Sequence, residues 1–168
     1  MTLAFETGLW MIRMDERRIA EDLLQIVAAS DNPYPLLLLQ RPVAQKVASQ
    51  LAGIISQHRL PHSLYALYSY RYVASSQDTK LLTEVSHWAQ PEMSSLAGLY
   101  LLKLGSKACV PGISAGLMAA DEQVRTMTYY ELTNYLPKEV FNQAHYDPKK
   151  SPDSQAAAVS LLLKELSG

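Results

Sequence analysis

The sequence predicts an all-α chain built from repeated helix pairs, and three observations carry that prediction. Helix-start signals recur at a step of 30 residues: Asp31-Asn32-Pro33, Pro61, Pro91, Asp121 and Ser151-Pro152. Apolar residues between these points fall at helical spacing. No segment alternates polar and apolar side chains, and no Asn-Gly or Asp-Gly pair marks a hairpin. Proline suits the first turn of a helix, where its missing amide would go unpaired, and aspartate or serine accepts from the free amides there. A start signal returning at a fixed step is the signature of an internal repeat.

The elements follow in order. Asp15 to Ala29 is amphipathic through Ile19, Leu23, Ile26 and Val27, and residues 15–30 are expected to cap the array at its N-terminal end. Repeats are expected at 31–60, 61–90, 91–120 and 121–150, with residues 151–168 as a C-terminal capping helix. In the first repeat, Pro42 breaks the run after Leu36–Leu39, and a helix follows from Val43 to His58. In the second, a helix runs from Pro61 to Ala74. Asp78 then caps Thr79 to Ala89, with Leu81, Leu82, Val85 and Trp88 on one stripe. In the third, Pro91 to Leu104 ends at Gly105, a residue suited to a left-handed cap, and Ser106 caps a helix to about Ala119. Pro111 falls in the first turn of that helix. In the fourth, Asp121 caps a helix through Leu136 that Pro137 stops. Ala144 to Ser151 reads as an exposed loop before the last helix, Pro152 to Leu166.

Aligning the repeats in columns supports the register. One column reads Leu37, Leu67, Ala97, Met127, Ala157; another reads Pro42, Tyr72, Leu102, Leu132, Leu162; a third reads Gln40, Tyr70, Tyr100, Tyr130, Ser160. The first repeat fits worst.

Composition narrows the function classes. At 168 residues the length favours one domain, and 48% apolar content can fill a core. Fifteen basic against sixteen acidic residues leave a net charge of −1, and the basic residues are dispersed. Nucleic-acid binding needs several convergent cations and is not expected. A lone cysteine, Cys109, excludes an internal disulfide framework and a cysteine-rich zinc site. No apolar run reaches the length of a membrane span, and Met1 to Asp15 has no basic start ahead of an uninterrupted apolar stretch, so a cytoplasmic protein is expected.

Residues 96–125 carry a more specific pattern: Leu104-Gly105 closing a helix, Val110-Pro111-Gly112-Ile113 opening the next, and Asp121 with Val124-Arg125 opening the following repeat. This resembles the short HEAT-like repeat of phycobilisome-lyase-type and many other bacterial proteins, which has a similar length. The repeat 31–60 lacks the Val-Arg and Leu-Gly elements. The resemblance implies a right-handed α-solenoid of stacked antiparallel helix pairs. Because two helices cannot bury both faces alone, stacked neighbours complete the core. The architecture implies little about chemistry, since it hosts scaffolds, bilin lyases, DNA glycosylases and metal hydroxylases.

Chemical motifs are sparse. His58 and His62 are four apart but separated by Pro61, and no His-Glu dipeptide occurs, so no metal site and no cofactor are expected. Cys109 sits near a helix start, where a dipole lowers a thiol pKa, but its position before Val110-Pro111 reads as a small core residue. Gly112 and Gly116 share a helix face and read as a site of close helix packing. Glu131 falls on the wheel between Val124, Met127 and Tyr135; it is either an acid or ligand contact with a raised pKa, or a rim residue held by a neighbour. Ten tyrosines stand against two phenylalanines. Tyr70, Tyr100 and Tyr130 hold one place in three repeats and form either a core seal or a strip for a partner. With Glu131, Trp88 and His87 they are the candidate binding residues.

The expected function is a non-enzymatic scaffold or protein-binding module of the HEAT-like type. One alternative is a bilin-lyase-like enzyme or chaperone acting on a partner protein. A second is an inhibitor or sensor that binds a peptide or small molecule. Asp121, as an N-cap, should accept a backbone amide from Gln123 or Val124. Asp121→Ala should lower stability by about 0.5–2 kcal/mol, read as a shifted denaturant midpoint.

Overall fold

The computed structural model describes residues 15–40 and 43–167. Every regular element among them is helical: nine α-helices and five short 3-10 segments, with no strand. No helix among the described residues is long and apolar enough to cross a membrane. The chain divides into two compact units, residues 1–74 and 75–168.

In the N-terminal unit, α1 (Glu16–Ser30) starts at Asp15, whose carboxylate accepts the Arg17 amide at 3.0 Å. It ends at Asp31, which takes a left-handed backbone (φ 54°). Ile19, Ala20 and Val27 form its buried stripe. Pro33 then starts a 3-10 turn, Tyr34–Leu38, that buries Leu36 and leaves Tyr34, Leu37 and Leu38 outside. The expected break at Pro42 lies outside the described residues. The helix expected from Val43 to His58 comes in two parts, a 3-10 turn at Val43–Val47 and then α2 (Ala48–Ser56). His58 has a left-handed backbone, so the helix cannot run on through it. α3 (His62–Tyr70) follows Pro61 and packs on α2. Ser63 Oγ donates to the Ile54 carbonyl at 2.9 Å, satisfying one of the open acceptors at the end of α2.

The C-terminal unit holds six helices: α4 (Thr79–Ser86), α5 (Pro91–Lys103), α6 (Val110–Leu117), α7 (Glu122–Leu132), α8 (Lys138–Ala144) and α9 (Ala156–Ser167). Asp78 behaves differently from the sequence expectation. Its carboxylate turns back to accept the amide and hydroxyl of Ser75, both at 2.8 Å, instead of capping α4. Gly105 (φ 72°) ends α5 as expected: its amide reaches the Leu102 carbonyl and the Ser106 amide reaches that of Leu101, both at 2.9 Å. That pairing is the Schellman cap. Asp121 caps α7 through the Gln123 amide at 2.7 Å.

α5 is the centre of this unit and packs against α4, α6 and α7. Met93 to Leu101 are all buried. Each leucine so placed contributes roughly 1.5–3 kcal/mol relative to exposure. The closest approach is to α6. A Cβ on Gly112 would lie 2.2 Å from the Ser94 carbonyl oxygen and 2.8 Å from Gly98 Cα; one on Gly98 would lie 2.7 Å from the Ile113 nitrogen. One turn along, a Cβ on Gly116 would meet the Ser95 and Thr128 hydroxyls at 2.4 Å. The Gly112–Gly116 face therefore packs as expected, and Gly98 is its partner.

The segment after α8 departs from the reading of an exposed loop. Tyr146 is buried, and its hydroxyl donates to the Leu117 carbonyl at 2.6 Å. Arg125, also buried, donates to the carbonyls of Ala119 and Ala120, both at 2.7 Å, and to Pro148 at 2.8 Å. The Gln155 side chain accepts the Asp147 amide at 2.9 Å. These bonds tie the segment to the end of α6.

Gly112→Ala should destabilise the protein by about 1–3 kcal/mol or more, since the three nearest atoms its Cβ would meet are all backbone. Gly53, in α2, would have nothing within 4 Å of an added methyl group. Gly53→Ala should instead stabilise by about 0.4–1 kcal/mol. Chemical denaturation of the two variants checks both signs.

Candidate functional site

The sequence candidates separate on burial. Tyr70 (2% exposed) and Tyr100 (9%) belong to the cores of their own units, whereas Tyr130 is 64% exposed. The three rings therefore do not form a strip open to a partner, because the first two are spent on packing. Trp88 is half-buried and His87 exposed beside it at the end of α4. Glu131 is exposed, so it sits at the rim, and its charge acts on Tyr135: burial first, and Glu131 second, push that phenol up.

The tyrosines do gather around Tyr129. Its ring lies 5.8 Å from Tyr130, 5.3 Å from Phe141 and 5.5 Å from Tyr146. Burial raises the Tyr146 phenol to about 12, against a smaller lowering by the Arg125 charge. The hydroxyl is committed to Leu117, so this cluster is a packing device with one exposed edge at Tyr130.

The nucleophile and metal searches end quickly. Cys109 is buried, and desolvation pushes its thiol up, away from the thiolate. Among the described residues no group of three His, Cys, Asp or Glu side chains is placed to hold a metal ion. His58 and His62 fall on different sides of the turn that separates α2 from α3.

The arrangement that local spacing does not indicate lies in the N-terminal unit. Leu24, Val27 and Ala28 of α1 face Gln50 and Ile54 of α2 across an open cleft of about 430 Å³. Gln57, Arg59 and His62 complete its lining from the α2–α3 turn. His62 is only 7% exposed, yet neither ring nitrogen makes a hydrogen bond. Nε2 comes within 3.2 Å of Asp31 Oδ1, but without the alignment a hydrogen bond requires. The same Asp31 oxygen accepts from Arg59 at 2.6 Å, in a pair whose side chains are 65% and 57% exposed. The lining mixes four aliphatic residues with four polar ones and includes no serine, threonine, cysteine or lysine nucleophile.

No family model, curated protein or solved structure matches the chain.

Tyr146 generates a pH test. The unfolded phenol ionises near 10 and the folded one near 12. The folded state then holds its proton longer, so stability is intact below about pH 10 and falls as pH rises toward 12. A spectrophotometric titration should show the Tyr146 phenol ionising near pH 12. Tyr146→Phe should remove that step and cost about 1–3 kcal/mol, because the Leu117 carbonyl loses its donor.

Proposed function

We propose that the protein is a non-enzymatic module that binds another protein in the cytoplasm, with its helix pairs stacked as a right-handed α-solenoid of the HEAT-like kind. The recurring helix starts support the architecture: α3, α5 and α7 begin at His62, Pro91 and Glu122, and Pro152 opens the segment leading into α9. The binding role rests on one observation. The Tyr34–Leu38 turn exposes 63% of Tyr34, 41% of Leu37 and 57% of Leu38. A short turn that turns three large apolar side chains outward is a feature of interaction surfaces. Tyr34 is held in place by the Tyr65 ring, 5.4 Å away, so the patch is presented by a fixed scaffold.

A photo-crosslinking residue at position 38 should give one discrete adduct with a second protein in the native cell, and the same residue at exposed Lys80 should not. Leu37→Asp should reduce the adduct about tenfold or more, as expected for loss of an interface anchor, without moving the thermal midpoint. Equal adduct patterns at both positions, or an adduct unaffected by Leu37→Asp, would refute the reading.

A further inference from the structure

We infer that the segment bound by the Tyr34–Leu38 turn is an acidic peptide, with large apolar side chains set against Tyr34, Leu37 and Leu38 and an Asp or Glu beside them facing Arg71. The inference rests on the reading of that turn as a protein-binding surface and adds the chemistry of what binds there. Its first ground is the distribution of charge. Between Asp31 and Asp78 the chain has no acidic residue, while Arg41, Lys46, Arg59 and Arg71 fall in the same stretch. The exposed turn lies inside it. Apolar surface set among charges of one sign selects partners of the opposite sign, because like charges brought together at an interface are strongly disfavoured.

The second ground is where those charges stand. Arg59 is engaged: at 2.6 Å it offsets Asp31, the acid that precedes the turn. Arg71 is exposed and forms no ion pair among the described residues. Its guanidinium lies 4.6 Å from the Tyr72 ring centroid and donates to the Tyr72 hydroxyl, contacts that hold it in place and leave its charge uncompensated. Arg71 also stands beside the turn. α3 packs on the turn, the Ser69 hydroxyl donates to the Leu36 carbonyl, and Arg71 follows Ser69 by two residues at the end of α3. The acids of α1, Glu16, Glu21 and Asp22, lie in its first half, interleaved with Arg17 and Arg18. Asp22 is about two helical turns before Ser30, where α1 ends.

The size of the patch favours a peptide over other anionic partners. An anionic membrane calls for a long amphipathic helix with cations along one face, or for a basic cluster of about 4–8 residues. Nucleic acid also calls for several convergent cations. Here three apolar side chains project from a short 3-10 turn, and Arg71 is the unpaired cation placed beside them among the described residues. A short peptide needs no more than that: an apolar anchor and a complementary charge at the rim. Tyrosine and arginine are both enriched where proteins meet.

A random peptide library displayed on phage is the probe, selected on the full chain and counter-selected on Leu38→Asp. Leu38 is 57% exposed, and an unchanged thermal midpoint confirms that this variant folds. The surviving peptides should hold two or more large apolar residues with Asp or Glu among them, and few Lys or Arg. Synthetic copies should bind Arg71→Gln about threefold or more weakly than the parent, with most of the loss restored in Arg71→Lys, and should weaken as salt rises, as expected of a charge at an interface rim. The inference is overturned if the surviving peptides are neutral or basic, a result that leaves the turn a protein-binding surface of another kind. It is equally overturned if acidic peptides bind Arg71→Gln as tightly as the parent. If no peptide survives counter-selection the inference also fails, while the crosslink at position 38 decides the protein-binding reading by itself. Phosphatidylglycerol vesicles that bind the parent chain but not Leu38→Asp would overturn both.

Discussion

The C-terminal unit depends on one contact between two backbones, Gly98 of α5 against Gly112 of α6. A side chain on either residue would occupy space already taken by main-chain atoms, which no rotamer change can clear. This approach places α5 so deep that Met93 to Leu101 are buried on every side. A helix in that position has no water for its polar side chains, and each must find a partner. Ser94 donates to the Trp88 carbonyl at 2.7 Å. Ser95 and Thr128 meet at 2.6 Å, and because the Thr128 hydrogen goes to the Val124 carbonyl, the Ser95 hydroxyl is the donor between them. Small residues thus set both the spacing of the helices and the polar chain linking α5 to α7.

Saturation then extends outward. Arg125 follows Val124 in α7 and closes the carbonyls beyond α6, while Tyr146 takes the Leu117 carbonyl. A buried guanidinium that satisfies three backbone acceptors holds irregular chain where a helix cannot. The Val124-Arg125 pair of the repeat pattern has this physical content: the apolar residue packs inward and the cation closes the turn before it. The N-terminal unit differs, because His62 is buried without an aligned hydrogen bond to either ring nitrogen, the Asp31 carboxylate lying 3.2 Å from Nε2.

What is legible in the sequence is local. Helix starts at Pro91 and Asp121 follow from the chemistry of single residues, and the Gly105 cap follows from one positive φ. The packing role of Gly112 and Gly116 is legible from their shared face, but their partners Gly98, Ser95 and Thr128 are not, since only tertiary packing selects them. Asp78 departs from its expected role because its carboxylate reaches Ser75, three residues back, as readily as the amides ahead. The stretch 144–151 looks exposed in sequence because it lacks periodicity; periodicity cannot register a single buried ring such as Tyr146. The cleft is invisible for a related reason. Arg59 and Asp31 are 28 residues apart, and His62 follows a proline that hides its helical face.

One stretch of chain joins the end of α1 to the exposed turn. Asp31 ends α1 in a left-handed conformation, pairs with Arg59 at 2.6 Å and lies 3.2 Å from His62 Nε2. Its carboxylate therefore ties the end of α1 to the turn between α2 and α3. Asn32 follows, and its side chain accepts the Tyr34 amide at 3.0 Å, opening the exposed apolar turn. Two short polar side chains in succession thus stop the helix and set the departure of the Tyr34–Leu38 segment, and since the Asp31–Arg59 pair is exposed and contributes little, the left-handed backbone and the Asn32 bond carry most of that task.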